Sequence, residues 1–303
     1  MDALLELLSR RKRGPRWLLL ENVPFMLRLD RGLAMTHLTG CLEQLGFAWA
    51  YRVVDARSFG LPQRRERVVL LASRTEDPRS ILFADEAGSN APEEAEDDRP
   101  CGFYWTEGNR GLGWAYDSVP TLKAGSTVGI PSPPAIWLPA YDRFVAPRID
   151  DAEAMQGFPR DWTSFAHTRP RLHDRLRWRL VGNAVPVPIA KWVGERIQRA
   201  GSFAASESRR LHPSEAWPTA AWGSAGARFV VDRSTWPVST RWSGLAARYG
   251  ADGRRLLDRP GLSARAASGF LGRIKRSPLR RGRDSRFTGA LERFIETIDR
   301  EAA

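Results

Sequence analysis

The stretch from Asp55 to Ala72 reads DARSFGLPQRRERVVLLA, and it joins a cluster of donor side chains directly to an apolar run. The run at residues 68–72 is short and rich in valine and leucine, which is typical of a buried strand. The donors that lead into it are Gln63, Arg64, Arg65 and Arg67. Because side chains alternate between the faces of a strand, Arg65 and Arg67 are predicted to share a face suited to gripping a phosphate or a base carbonyl. A solvated strand edge is the alternative interpretation.

The residues upstream of this stretch predict further elements of an α/β sheet. Apolar runs indicate buried strands, and apolar positions at helical spacing indicate helices. Helices are expected at residues 3–10 and 34–46, and strands at residues 17–20, 49–54 and 68–72. The first strand ends at Glu21-Asn22-Val23-Pro24, and open α/β sheets place ligand-contacting residues at the carboxyl ends of their strands. A carboxylate that caps the following helix is the alternative role for Glu21.

The sequence pattern changes further along the chain. Residues 75–114 include an acidic run and a stretch rich in glycine and aromatic residues, which predicts a loop-rich insert. Helical character returns over residues 150–200, with an amphipathic helix expected at Val187–Arg199. A Gly, Ala and Ser-rich segment at residues 201–208 predicts a domain boundary. Residues 204–303 hold 19 Lys and Arg against 10 Asp and Glu, so a small basic domain that ends in an amphipathic helix is expected there.

The composition favours a folded protein with an anionic partner. The 303 residues carry a net charge of +12, and arginine supplies most of the cationic side chains. Arginine forms bidentate contacts with phosphate and guanine, so the bias agrees with nucleic-acid binding, although a GC-rich genome produces the same bias. The two cysteines give neither a disulfide framework nor a metal-ligand spacing, so no metal is expected. Without an export signal or membrane span, a cytoplasmic location is expected.

Two further motifs lie in the helical region. Gln156-Gly157-Phe158-Pro159 follows Arg148 and Glu153, and Val181-Gly182-Asn183-Ala184-Val185-Pro186 precedes the expected helix at residue 187. Glycine and asparagine ahead of a helix present free backbone donors, which favours a site for a polar ligand group. A simple helix start is the alternative interpretation of the second motif.

Together these motifs resemble the cytosine-5 DNA methyltransferases. Glu-Asn-Val, Gln-Arg-Arg-x-Arg, Arg-x(4)-Glu-x(3)-Gly-Phe-Pro and Gly-Asn-Ala-Val-Pro occur in the family's order. The resemblance implies an α/β fold with a partial Rossmann-like methyltransferase sheet. The implied domains are a partial catalytic domain at 1–74, a loop-rich target-recognition region at 75–147, a return segment completing the cofactor side at 148–203 and a basic C-terminal domain at 204–303. The implied reaction is methylation of cytosine carbon-5 in duplex DNA with S-adenosylmethionine, as in restriction-modification systems.

The resemblance also implies roles for the matching residues. Glu21 would hold the exocyclic amine and N3 of a flipped cytosine and protonate N3, while Asn22 would orient it. Arg67 would bind the base O2, and Arg65 the nearby backbone. The implied cofactor-binding residues are Asn183, Ala184 and Val185. The candidate DNA contacts are Gln63, Arg64, Lys123 and Arg110, with Tyr104, Trp105 and Trp114 as weaker aromatic candidates that alternatively form a small folded insert.

The sequence lacks two parts that the family's reaction requires. The reaction needs a cysteine thiolate from a Pro-Cys-Gln element upstream of Glu-Asn-Val, and none of the 20 residues before Glu21 is a cysteine. We predict that Cys41 is a packed helix residue and that Cys101, which lies in the recognition region, is not the nucleophile. A glycine-rich cofactor loop after a first strand is also missing.

Three explanations stay open on the sequence: a subunit of a split methyltransferase, a truncated gene product, or a non-catalytic DNA-binding relative. The strands at residues 17–20 and 68–72 are expected to need sheet neighbours from the missing part, and an isolated chain would expose an apolar edge. The expected partners are therefore duplex DNA and a complementary methyltransferase subunit that carries Pro-Cys-Gln.

Overall fold

The chain forms two compact units in a computed structural model. Unit 1 comprises Met1–Phe59, Glu66–Asn90 and Pro188–Thr240, and unit 2 comprises Gly60–Arg65, Ala91–Val187 and Arg241–Ala303. The structure describes residues 2–10, 14–88, 95, 97–107, 111–124, 133–166, 170–241, 243–277 and 285–302.

Unit 1 is built on a six-stranded sheet in which every neighbouring pair of strands is antiparallel. In spatial order the strands are β1 (Leu18–Asn22), β4 (Glu66–Ser73), β2 (Ala48–Asp55), β11 (Ala220–Ser224), β12 (Ala227–Val231) and β10 (Ser208–Arg210). The helices assigned wholly or largely to this unit are α1 (Asp2–Ser9), α2 (Leu33–Gln44), α3 (Arg79–Leu82) and α6 (Val187–Gln198). The helices and strands predicted upstream of residue 75 are therefore confirmed.

The core of unit 1 lies between its sheet and its first two helices. Leu38 and Leu42 from α2 pack with Trp49 and Tyr51 from β2, and all four side chains are buried. Burial of such apolar surface stabilises the unit by roughly 25 cal/mol for each Å² removed from water. Strand β1 forms one edge of this sheet.

Residues 208–231 extend the same sheet, an arrangement that differs from the expected basic domain over residues 204–303. Strand β11 pairs with β2, with Ala221 opposite Tyr51. Ala221 is buried in the core of unit 1, and Trp222 stacks on Phe229 of β12 at 4.2 Å between ring centroids. The reason is that β2 is buried along almost its whole length, so the backbone groups on both of its edges need partners; β4 provides one set and β11 the other.

Unit 2 contains a four-stranded antiparallel sheet and a short parallel pair of strands. The sheet has the spatial order β6 (Ala115–Tyr116), β5 (Cys101–Phe103), β8 (Ala135–Leu138) and β9 (Arg143–Val145), and the pair is β3 (Gln63–Arg64) with β7 (Val119–Pro120). The helices are α4 (Ile149–Met155), α5 (Pro170–Asn183), α7 (Leu245–Tyr249), α8 (Ala264–Arg276) and α9 (Ser285–Ala302). The predicted target-recognition region at residues 75–147 thus holds a small sheet besides its loops.

An aromatic core joins this small sheet to the two C-terminal helices. Phe103 of β5 stacks on Phe270 of α8 at 5.0 Å between centroids and meets Phe287 of α9 edge to face at 5.2 Å. Phe144 and Trp137 also contact Phe287. Residues from the predicted basic domain therefore complete the core of unit 2.

Candidate active site

The first group of predicted site residues lies at the end of β1 in unit 1. Glu21 and Asn22 pair with Val69 and Val68 of β4, so this register places Arg67 next to them. The Arg67 Nε atom lies 2.8 Å from Glu21 Oε1, and the side chains are 8% and 23% exposed. Arg67 Nη1 also donates to the Glu66 carbonyl at 2.6 Å. Burial lowers the pKa of Arg67 from its usual value, and Glu21 opposes that shift by favouring the cation.

Asn22 completes this group at the surface. Its side chain is exposed, and its Oδ1 atom accepts a hydrogen bond from the Val23 amide at 2.8 Å. This bond fixes the orientation of the carboxamide beside Glu21. The structure thus brings together three of the predicted site residues, Glu21, Asn22 and Arg67.

Arg65 has a different environment from Arg67. It lies between β3 and β4 and is almost completely buried in unit 2. Its Nη1 donates to the Leu122 carbonyl at 3.1 Å, and its Nη2 donates to the carbonyls of Gly182 and Ala184 at 3.1 and 2.9 Å. The expected shared face of Arg65 and Arg67 is therefore wrong, because the strand that holds Arg67 begins only at Glu66.

Gln63 is also buried and bonded to protein atoms. Its Nε2 donates to the Met155 carbonyl at 3.2 Å and to Gln156 Oε1 at 3.1 Å, and its Oε1 accepts from the Leu122 amide at 2.9 Å. A side chain with no exposed surface and satisfied hydrogen bonds has nothing to offer a DNA strand. We therefore do not retain Gln63 as a DNA contact.

The predicted cofactor residues follow α5, which ends at Asn183. Asn183 and Val185 are exposed, whereas Ala184 is half-buried and accepts the bond from Arg65. A Cβ atom on Gly182 would lie 2.4 Å from backbone atoms of Lys123 and Ala124, so only glycine fits there. The backbone at Lys123 and Ala124 packs against one side of this segment, and the side chains of Asn183 and Val185 are exposed on the other.

The remaining candidates for DNA contact are Lys123, Arg64 and Arg110. Lys123 is exposed, with its Nζ atom 2.5 Å from Glu107 Oε1 and 3.8 Å from the centroid of the Tyr104 ring. Arg64 is exposed as well. Arg110 lies outside the described residues.

The aromatic candidates are part of a folded insert, the alternative interpretation of this stretch. Tyr104 is buried and donates to the Thr121 carbonyl. Trp114 packs against the aromatic core of unit 2, 5.1 Å from the Phe287 ring. Trp105 is half-buried and donates to the Pro133 carbonyl at 3.0 Å.

The sequence did not predict the buried ion pairs that hold α4. Asp151 is fully buried and receives Arg259 Nε at 2.6 Å, Arg259 Nη2 at 2.9 Å and the Tyr249 hydroxyl at 2.9 Å. Burial raises the pKa of Asp151, but these bonds outweigh it and hold the pKa below its usual value. Arg259 and Tyr249 are about a hundred residues downstream of α4, so local spacing gives no signal for this contact.

Glu153 in the same helix has a second set of partners. It accepts from the Thr163 amide at 2.8 Å and from Arg177 Nη2 at 3.0 Å. Burial again raises the pKa, yet the bonds from Thr163 and Arg177 outweigh burial and keep the pKa of Glu153 below its usual value. The Arg-x(4)-Glu-x(3)-Gly-Phe-Pro motif therefore contributes a buried structural glutamate.

The two cysteines have different surroundings. Cys101 is buried in the aromatic core of unit 2, and Cys41 is half-buried on α2, 3.8 Å from His37 Nε2. Across the ranges that the structure describes, no group of three His, Cys, Asp or Glu side chains is arranged to hold a metal. No helix in those ranges is long and apolar enough to cross a membrane.

The amino-acid sequence is similar to those of DNA methyltransferases. The family described as C-5 cytosine-specific DNA methylase matches residues 5–100. Type II methyltransferase M2.BsuMI from Bacillus subtilis is 46% identical over 283 residues, which cover 90% of this chain and 70% of that protein. Type II methyltransferase M.MspI from Moraxella is 26% identical over 205 residues, 60% of this chain and 46% of that protein.

A solved structure shows a weaker likeness. The crystal structure of the Dnmt2 methyltransferase from S. pombe superposes with a TM-score of 0.43 at 15% identity, over 63% of this chain and 67% of that one. The family assignment rests on the sequence relatives. The 46% identity to M2.BsuMI, over 70% of that protein's length, shows that this chain belongs to the cytosine-5 DNA methyltransferase family.

Proposed function

We propose that this chain forms the target-cytosine side of a DNA (cytosine-5)-methyltransferase, and that a complementary methyltransferase segment supplies the nucleophilic cysteine and the glycine-rich cofactor loop. The observation that carries the proposal is the Glu21–Arg67 pair, 2.8 Å apart, with Asn22 beside it. A carboxyl group next to a guanidinium matches the cytosine edge, where the exocyclic amine, N3 and O2 lie in a row.

In the proposed reaction these side chains bind and polarise the flipped base. Glu21 holds the exocyclic amine and delivers a proton to N3, while Arg67 donates to O2. Both contacts stabilise the ring as a thiolate adds to carbon-6, and that addition makes carbon-5 nucleophilic. S-adenosylmethionine supplies the methyl group when it is bound. Arg67 suits this role because its guanidinium is oriented by both Glu21 and the Glu66 carbonyl.

Asn183 and Val185 fit the cofactor side of the proposed enzyme. Both side chains are exposed, while the neighbouring Gly182 packs tightly against the backbone at Lys123 and Ala124. Contact with S-adenosylmethionine is therefore assigned to Asn183 and Val185, with Ala184 contributing backbone between them. The remaining contacts to the cofactor are assigned to the complementary segment.

The edge strand β1 supports the proposal of a complementary segment. It carries Glu21, and in the described sheet it has β4 on one side only. Apolar side chains are exposed in β1 and in the segment directly after it, among them Leu19 and Phe25, with Phe25 64% exposed. An exposed apolar edge strand is a template for pairing with another strand. A segment that pairs there also brings its residues towards the end of β1.

Arg64 and Lys123 are the proposed DNA contacts of unit 2. Both are exposed cations, as expected for side chains that bind phosphates. Lys123 pairs with Glu107 in the structure, so a phosphate would have to replace that carboxylate. Because contacts of this kind release counterions, DNA binding is expected to weaken as salt rises.

The test is methyl transfer from labelled S-adenosylmethionine to duplex DNA by this chain, alone and mixed with a methyltransferase segment that carries Pro-Cys-Gln. Transfer only in the mixture supports the proposal. Salt-dependent DNA binding without transfer in either sample would instead identify a non-catalytic DNA-binding relative. Transfer by this chain alone would show that one of its own cysteines is the nucleophile.

A further inference from the structure

Three buried polar side chains form a cluster in unit 2, which we call the glutamine–arginine cluster: Gln63, Arg65 and Gln156. None has more than about one percent of its surface exposed. Their partners lie on segments far apart in the sequence, near residues 122, 155 and 182–184. A polar cluster at the meeting point of distant segments restricts their positions, because hydrogen bonds are directional whereas apolar contacts are not.

Gln156 connects the cluster to the end of α5. Its Nε2 donates to the Val181 carbonyl at 2.8 Å and to the Ala184 carbonyl at 3.3 Å, while its Oε1 accepts from Gln63. Its main-chain carbonyl accepts from the Val187 amide at 3.0 Å, at the start of α6. Gln156 therefore binds both ends of the segment that carries the proposed cofactor residues.

Gln63 and Arg65 connect the cluster to the recognition segment at residues 121–124. The Leu122 amide donates to Gln63, and the Leu122 carbonyl accepts from Arg65. The same Arg65 guanidinium binds the carbonyls of Gly182 and Ala184. Leu122 is thus held through both of its backbone polar groups, next to Lys123 in the chain.

We propose that the glutamine–arginine cluster is a positioning device that fixes the recognition segment at residues 121–124 against the cofactor segment at residues 181–185. The proposal rests on the proposed function, because it assigns DNA contact to Lys123 and cofactor contact to Asn183 and Val185. The close approach of Gly182 to the backbone at Lys123 shows that the two segments touch directly. Loosening one segment should therefore loosen the other.

Hydrogen exchange of the full chain tests this coupling in both directions. Gln63→Met removes a direct partner of the Leu122 amide, so the informative signal is the distant Ala184 amide, which donates to Val181. Gln156→Met removes the hydrogen bond to the Ala184 carbonyl, so in this variant the informative signal is the exchange rate of the Leu122 amide. In each variant the distant amide should exchange about tenfold faster, the effect of losing one or two hydrogen bonds. Methionine keeps a similar volume without these bonds.

A matched control separates coupling from general loosening. Ile274→Val trims a buried side chain in the aromatic core of unit 2, away from the cluster. If this control accelerates exchange at Leu122 and Ala184 as much as the glutamine variants do, the proposal is overturned. Faster exchange only at the amide next to each substitution would overturn it as well. If Gln63→Met does not fold, Gln63→Glu, which keeps the acceptor for Leu122, takes its place beside Gln156→Met.

Steady-state kinetics distinguish a positioning role of the glutamine–arginine cluster from a merely structural one. In the complemented assembly, Gln63→Met should raise the KM for DNA about tenfold while kcat changes little, because the contact segment is displaced before chemistry. A lower kcat at unchanged KM would mean only that less enzyme is folded, against the proposal. Absence of methyl transfer by the unsubstituted assembly would overturn the proposed function, while the exchange experiment would still decide the role of the cluster.

Discussion

At the scale of single residues, the proposed chemistry depends on the fixed geometry of Arg67. Arg67→Lys keeps a positive charge but removes the planar fork that contacts Glu21 and the Glu66 carbonyl together. We expect kcat of the complemented assembly to fall about a hundredfold, as when one preorganised donor is lost. Arg74→Lys, at an exposed arginine in the same unit, is the control. Equal kcat values for the two variants would show that Arg67 has no role in the reaction.

Asp151 gives a prediction about stability and pH. Asp151→Asn removes the buried carboxylate that Arg259 contacts through Nε and Nη2 and leaves it only the exposed Asp258, so the free energy of unfolding at pH 7 should fall by about 3 kcal/mol. The pKa of Asp151 is lowered in the folded state, so its contribution is complete above its ordinary pKa and is lost as the pH falls through the folded value.

Urea unfolding from pH 7 down to pH 3 measures this dependence. The native chain and Asp151→Asn should differ in free energy of unfolding by a constant amount from pH 7 to about pH 5. This difference should shrink below about pH 4. Arg300→Gln, at an exposed arginine of α9, should show no such dependence. A difference that grows on acidification would contradict the assigned ion pair.

The proximity of site residues could be predicted where the side chains lie on neighbouring strands. Glu21, Asn22 and Arg67 were predicted together, and the pairing of β1 with β4 brings them together. The family resemblance implies DNA-facing roles for Gln63 and Arg65, but the structure buries both side chains. Their buried partners come from residues 122–184, and no local pattern reports such contacts.

At the scale of elements, the feature to test is the exposed apolar surface formed by β1 and the segment directly after it. Phe25→Ser should weaken binding of the complementary segment about tenfold, because burial of one aromatic side chain is lost. It should not change the thermal unfolding of this chain, since Phe25 is already largely exposed. Trp162→Ser, at an exposed aromatic residue of unit 2, is the matched control. Equilibrium binding of the labelled segment measures the effect, and unchanged affinity for Phe25→Ser would exclude this surface as the docking site.

Elements with a strong local pattern were predicted well, and elements that depend on distant partners were not. The predicted helix at 34–46 and strand at 49–54 correspond to α2 and β2. Strands β10 to β12 were missed as part of the sheet because the residues that β11 pairs with lie about 170 positions upstream. The strands of the predicted recognition region have only two to four residues. Such strands are too short to show an alternation of apolar and polar residues.

At the scale of the whole molecule, the C-terminal helices are expected to be indispensable to unit 2. Phe287 contacts Phe103, Trp114, Trp137 and Phe144 and is almost fully buried. Phe287→Ala should therefore lower the free energy of unfolding by about 3 to 5 kcal/mol, measured by tryptophan fluorescence in urea. Thr297→Ala, at a residue of α9 with an exposed hydroxyl contact, is the control. A loss below about 1 kcal/mol for Phe287→Ala would indicate a separate basic domain.

The central claim is that Glu21 acts on the target cytosine. The most direct measurement is the single-turnover rate of methyl transfer to duplex DNA by the complemented assembly, with Glu21→Gln compared with Glu66→Gln, an exposed glutamate on the neighbouring strand β4. We predict that Glu21→Gln lowers the rate by at least about a hundredfold while DNA affinity is kept, because glutamine cannot deliver a proton to N3. Glu66→Gln should leave the rate unchanged. A Glu21→Gln assembly that transfers methyl groups as fast as Glu66→Gln would contradict the assignment.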